Sequence, residues 1–193
     1  MYRRWLLVLF VFGLLVWLRW GKMLLSRLAN AFRPGLPWRP FTFASLAAYG
    51  KWLRMKVRWK MEPLHGLFDT FPSREHIAWQ LKTHGYFADD CDGLAYFSAQ
   101  NVLPFCDDPA ICYVVSVILD PFEVGLESSA HALCIFQSGG VWRVVSNDAL
   151  NSGQWPSFEA ALQDNDYCRG HSLLYAEIRD ANLHYLQSWR PPV

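Results

Sequence analysis

The chain has 193 residues, of which 52% are hydrophobic and 18% charged, so disorder throughout is excluded. The length suits one domain and an appendage, and the absence of a glycine period or sustained heptad excludes collagen-like and coiled-coil architectures. The formal net charge of +1 conceals a division of charge. Residues 1–61 carry twelve Lys or Arg and no acid, whereas residues 62–193 carry six Lys or Arg and all seventeen acids.

The first element in the chain is an apolar run of fourteen residues, 5–18, without a charge or a strongly polar group. A full membrane span usually needs about 20 apolar residues, but Arg19 and Lys22 can extend the run by placing their charges among the headgroups. Trp5 and Trp17 occupy positions typical of interfacial aromatic residues. We therefore predict that residues 1–30 form a hydrophobic membrane-anchor helix that binds membrane lipid.

Other interpretations of this segment remain open. A cleaved signal peptide is the main one, although its only small-x-small site, Ala29 to Ala31, lies far beyond the apolar run. An interfacial helix or a buried core helix is also compatible with the run. The excess of cations after the run favours a cytoplasmic position for the C-terminal domain. These cations would also be attracted to anionic lipid.

Residues 31–61 are predicted to be a basic linker and arm that contains Pro and Trp. Arg33 to Pro40 is typical of a linker because Pro and Gly recur in it. From Leu53 to Met61 apolar and cationic residues alternate, which predicts a strand or an extended arm with one apolar and one cationic face.

Residues 62–193 are predicted to form a compact α+β domain. A helix begins after the N-cap Ser73, and a second helix opens at Asp89 to Gly93 and stops at Pro104. The remaining predicted elements are strands at 111–119, 131–136, 141–146 and 173–178, a hairpin turn at 138–140 and a short helix at 157–162.

Cys91 is the main candidate for chemistry because it lies at a predicted helix N-terminus, where unpaired amides and the helix dipole stabilise a thiolate. The flanking acids Asp90 and Asp92 oppose this effect. His131 begins a predicted strand, and Asn147 and Asp148 end its hairpin partner. Antiparallel pairing would bring these groups together as a nucleophile, a base and an orienting side chain.

Three motifs carry a resemblance to a known family: Asp89 to Ala95, His131 to Leu133 and Trp142 to Asn147. Together they resemble transglutaminase-like cysteine peptidases of the papain-like superfamily, of the bacterial or phage type, over about residues 57–165. The resemblance implies a Cys-bearing helix packed on an antiparallel sheet. It implies Cys91 as nucleophile, His131 as general base and acid, and Asn147, or alternatively Asp148, as the orienting residue.

We therefore expect a membrane-tethered thiol enzyme that attacks a peptide or glutamine-type amide of a peptide or protein substrate and forms a thioester. A catalytically silent scaffold or binding module of the same fold is the alternative. Nucleic-acid binding by residues 51–60 ranks last because no known binding motif accompanies the charge. No cofactor is expected, and structural zinc is improbable because no C-x-x-C pair or tight His spacing occurs.

Overall fold

The computed structural model of the chain describes residues 22–39, 41–61 and 71–191. The apolar run at 5–18, and with it most of the predicted anchor, lies outside these residues. The first described helix is α1 (Lys22–Phe32). No helix within the described ranges has both the length and the apolar character needed to cross a membrane.

The helices and strands follow in a mixed order along the chain. The later helices are α2 (Leu46–Lys56), α3 (Arg74–His84), α4 (Cys91–Val102), α5 (Pro121–Val124) and α6 (Phe158–Asp164). The strands are β1 (Val57–Trp59), β2 (Phe87–Asp89), β3 (Cys112–Leu119), β4 (Ala130–Ser138), β5 (Val141–Ser146), β6 (Ala149–Leu150), β7 (Leu173–Asp180) and β8 (Tyr185–Trp189).

Six of these strands form one antiparallel sheet in the order β6-β5-β4-β3-β7-β8, and β1 pairs with β2 in a separate parallel ladder. The β4–β5 hairpin turns at Gly139 and Gly140, whose φ angles of 67° and 74° favour residues without a Cβ. The Asp107 carboxylate accepts hydrogen bonds from both turn amides, at 2.7 and 2.8 Å. A side chain from outside the hairpin therefore fixes its closed end.

The large sheet is covered on both faces, and each face has its own apolar core. On one face α2 and α4 bury Leu53 and Phe97 against strand residues such as Cys134. On the other face α6 buries Leu162 against Leu133 and further strand residues. The chain therefore belongs to the α+β class, as the sequence predicts.

Several predicted elements are confirmed with small changes in their bounds. Ser73 caps α3 by accepting a hydrogen bond from the His76 amide, and the helix ends at Gly85 in the left-handed conformation. Ser157 caps α6 in the same way through Ala160. Strand β7 runs to Asp180, two residues beyond the predicted end. No pattern in the sequence predicted strand β8.

The prediction of an extended segment from Leu53 to Met61 is wrong in its first half. Helix α2 continues to Lys56, and only Val57–Trp59 form a strand. Helical spacing explains the difference, since Tyr49, Leu53 and Val57 recur every four residues and are all fully buried. The alternation of cations concealed this apolar stripe.

The helical geometry of α2 predicts which of its apolar side chains supports the fold. Leu53→Ala removes a fully buried side chain and should lower the free energy of unfolding by about 2–5 kcal/mol. Met55→Ala is the matched control, since Met55 is 52% exposed and its loss should cost less than about 0.5 kcal/mol. Denaturant titration of both variants measures the difference. Equal losses would contradict the helical assignment.

Candidate active site

Cys91 is the first residue of α4, and the residues around it explain why the helix begins there. Asp90 is the N-cap and accepts a hydrogen bond from the Gly93 amide at 3.3 Å. Asp89 ends β2, which pairs with β1, and its carbonyl accepts from the Lys60 amide at 2.8 Å. The parallel ladder and the cap together fix the position of the thiol.

Gly93 is required by the packing of this first helical turn. A Cβ built on Gly93 would lie 2.0 Å from Asp89 Oδ2, so the Asp89 carboxylate occupies the space that a side chain would take. Gly93 is itself buried inside α4. The glycine of the Asp-Asp-Cys-Asp-Gly segment therefore makes room for the first aspartate over the helix terminus.

His131 is the second residue of β4, and its ring contacts Ser146. The Ser146 hydroxyl lies 2.8 Å from Nε2 of His131. The register explains the contact, because Ser146 of β5 pairs with Leu133 and alternation puts His131 on the same face as Leu133. The imidazole therefore lies on the face opposite to α4, and only 9% of His131 is exposed.

The Cys91 sulfur reaches the sheet at the residue next to His131. The Ala132 backbone amide lies close enough to the sulfur to favour its thiolate form. Strand β5 leaves the ladder after Ser146, opposite Leu133, so no β5 carbonyl meets that amide. The sulfur therefore lies near β4 at the place where β5 leaves the ladder. No hydrogen bond joins this sulfur to the His131 ring in the described part of the chain.

Tyr167 links the two groups from the other side. Its ring lies 4.3 Å from the His131 ring between centroids, and its hydroxyl donates to the Ser128 carbonyl at 2.5 Å. Burial raises the pKa of Tyr167 to about 12, and the neighbouring Cys168 and Cys91 thiols contribute. Sequence reasoning missed Tyr167, which lies outside every motif. It also missed the role of Ser146, although the Ser-Asn motif contains that residue.

The electrostatics of the site favour neutral groups. Burial raises the pKa of Cys91 to about 12, and the Asp92 and Asp90 charges add to the rise against the opposing Ala132 amide. Burial lowers the pKa of His131 to about 4. At neutral pH the resting site therefore holds a thiol and a neutral imidazole rather than an ion pair. Asp90 and Asp92 raise the pKa of Cys91, as the sequence predicts.

Asn147 and Asp148 form the two-residue connection between β5 and β6. Asn147 has a φ of 51°, a conformation that Asn tolerates better than most residues, and its buried Oδ1 makes no hydrogen bond. Asp148 makes no hydrogen bond to His131 within the described ranges. The structure thus brings Ser146, and neither of these residues, to the His131 ring, and an orienting role for either stays a prediction.

Gln80 and the other cysteines are the remaining polar groups considered for the site. Gln80 Oε1 accepts from the Ala88 amide at 3.1 Å and so fixes β2 just before the Cys91 helix. All five cysteines are free thiols, and Cys112, Cys134 and Cys168 are buried. Within residues 22–39, 41–61 and 71–191 no group of three or more His, Cys, Asp or Glu is arranged to hold a metal ion.

Comparisons with known proteins give no relative for this arrangement. No family model matches the chain, and no curated protein or solved structure matches it.

The contact between Asp89 and Gly93 predicts a specific loss of stability. Gly93→Ala should lower the free energy of unfolding by about 1–3 kcal/mol, because the methyl group would collide with the Asp89 carboxylate. The double variant Asp89→Ala/Gly93→Ala should recover part of this loss, which a denaturant-based mutant cycle measures. Strictly additive effects of the two substitutions would show that the carboxylate does not occupy this space.

The lowered pKa of His131 predicts a pH-dependent stability. Between pH about 6.5 and 4 the unfolded chain binds a proton at this residue that the folded chain does not. The free energy of unfolding should therefore fall by as much as about 3 kcal/mol as the pH is lowered through this window.

His131→Gln should flatten the pH dependence in that window, as measured by denaturant titration at a series of pH values. His171→Gln provides the control, because His171 is exposed and its replacement should preserve the wild-type slope. An unchanged slope in His131→Gln would show that the imidazole is not held neutral by burial.

Proposed function

We propose that this chain is a thiol-dependent acyl-transfer enzyme with a transglutaminase-like core, acting on peptide or glutamine-type amide bonds. The observation that carries the proposal is that the Cys91 sulfur lies near the amide of Ala132, the residue after His131, close enough for that amide to lower the Cys91 pKa. A cysteine at a helix start thereby meets an antiparallel strand bearing a histidine. This is the arrangement that the sequence resemblance implies, and the packing of α4 on the sheet supports it.

In the proposed reaction the Cys91 sulfur attacks the carbonyl carbon of an amide while its proton passes to His131. This role requires the tautomer in which Nε2–H donates to the Ser146 hydroxyl, 2.8 Å away, and Nδ1 accepts the thiol proton. The protonated ring then gives this proton to the departing amine as the C–N bond breaks. The product is a thioester on Cys91, which water or a primary amine cleaves to regenerate the thiol.

The neutral resting pair determines how this step proceeds. Burial disfavours both a thiolate and an imidazolium, so proton transfer is expected to accompany attack rather than precede it. The Cys91 backbone N–H at the start of α4 is a candidate donor for the developing oxyanion. Tyr167 covers the imidazole ring and limits the access of water to it.

The membrane tether is part of this proposal and rests on sequence. The apolar run at 5–18 would anchor the chain as a single N-terminal segment, with the catalytic domain on the cytoplasmic side because the cations follow the run. The substrate would then be a peptide or protein that reaches the membrane surface.

One observation favours the alternative of a catalytically silent scaffold or binding module of this fold. The pKa of Cys91 is raised to about 12, whereas nucleophilic cysteines commonly have a lowered pKa. A module that only binds partners needs no reactive thiol, so measurements of acylation separate the two functions.

The test uses p-nitrophenyl acetate as a small acyl donor on the full chain. We expect one acetyl group on Cys91 by intact-mass and peptide mass spectrometry, with release of nitrophenol. His131→Gln should slow acylation by at least about 100-fold because general-base assistance is lost. A glutamine-containing peptide offered with a primary amine then separates transfer from hydrolysis.

Cys106→Ala is the matched control, because Cys106 is the other half-buried thiol and lies outside the site. It should leave acetylation of Cys91 unchanged. Acetylation of Cys91 at the same rate with and without His131, or modification confined to other thiols, would overturn the enzymatic proposal in favour of the silent module.

A further inference from the structure

The strongest feature outside the candidate active site is a surface of cations and exposed apolar side chains, here called the basic face. Its cations are Lys51 and Arg54 on α2, and Arg58 and Lys60 on and after β1, all of them exposed. No acid occurs in the chain before Glu62. No ion pair among the described residues involves these four cations.

Large apolar side chains lie among these cations. Met55, Trp59 and Met61 are each about half exposed, at 52%, 50% and 48%. The end of α1 adjoins this region, since Arg33 lines one cleft of about 390 Å³ together with Lys60 and Met61. Phe32, the residue before Arg33, is 87% exposed. Burial in the protein core therefore explains none of these apolar groups.

We propose that the basic face docks on anionic phospholipid and holds the domain flat against the bilayer. Lys and Arg meet lipid phosphate and carboxylate groups, while Trp and Met side chains enter the boundary of the headgroups. Only three residues separate the end of the apolar run at 5–18 from the start of α1 at Lys22. If that run enters the membrane, the short connection brings α1 to the surface of the bilayer.

Lipid fits these observations better than nucleic acid does. Trp59 offers a base one flat ring, but the flexible side chains of Met55 and Met61 offer none, and a phosphate backbone would leave both of them in water. The boundary between lipid headgroups and acyl chains would remove the Met55 and Met61 side chains from water. The inference rests on the proposed tether but not on thiol chemistry, so acylation of Cys91 and docking can fail independently.

The test is lysine acetylation of the full chain in nanodiscs, read by mass spectrometry. The discs contain phosphatidylcholine alone or a mixture with phosphatidylserine. We expect phosphatidylserine to slow the acetylation of Lys51 and Lys60 by at least about fivefold, an effect that salt reverses. The exposed Lys82 on α3 is the internal control and should react equally in both discs. A chain that does not enter the discs would refute the tether, and the docking with it.

Arg54→Gln/Arg58→Gln should remove most of this protection, whereas Arg74→Gln/Arg190→Gln changes the net charge equally and should retain it. All four residues are exposed, so both variants should fold. Protection that is equal in the two kinds of disc would overturn the proposal. So would protection of the same lysines by a single-stranded RNA oligonucleotide on phosphatidylcholine discs, which would assign the basic face to nucleic acid.

Discussion

The candidate site depends on the place where strand β5 ends beside β4. Their ladder ends at the Leu133–Ser146 pair, and the Cys91 sulfur lies near the Ala132 amide just beyond that point. If β5 continued by one residue, its backbone would pair with Ala132. The tight connection at Asn147 and Asp148 ends β5 early. It therefore leaves space beside β4 for the N-terminus of α4.

This geometry explains how Cys91 and His131 lie near each other although they belong to different layers. Helix α4 packs on one face of the sheet, and His131 points to the other. Tyr167 packs against the imidazole ring, and the Cys91 thiol lies near enough to contribute to the raised pKa of Tyr167. The same enclosure removes water, which keeps thiol and imidazole neutral. A buried polar site of this kind supports chemistry only if proton transfer and bond formation are coupled.

The sequence predicted the elements that have local signals and missed the contacts that are set by register. Ser73 and Ser157 predict helix starts because they can cap a helix, and the Gly139–Gly140 pair predicts a hairpin turn. The structure has α3, α6 and the β4–β5 turn at these positions. The motif at Cys91 placed a helix start correctly. The partner of His131 depends on which β5 residue lies diagonally across the ladder, and no local pattern encodes that. In α2 the cations at alternate positions obscured a four-residue apolar period.

The Asp107 clamp on the β4–β5 turn has a consequence for the far end of the same hairpin. Side chains alternate along a strand, so a slip of one residue in pairing would turn His131 toward α4 and away from Ser146 and Tyr167. By accepting hydrogen bonds from both glycine amides, this carboxylate fixes the turn that sets the pairing register of β4 with β5. An acidic side chain at one end of the hairpin thus determines the side of the sheet on which the imidazole stands at the other.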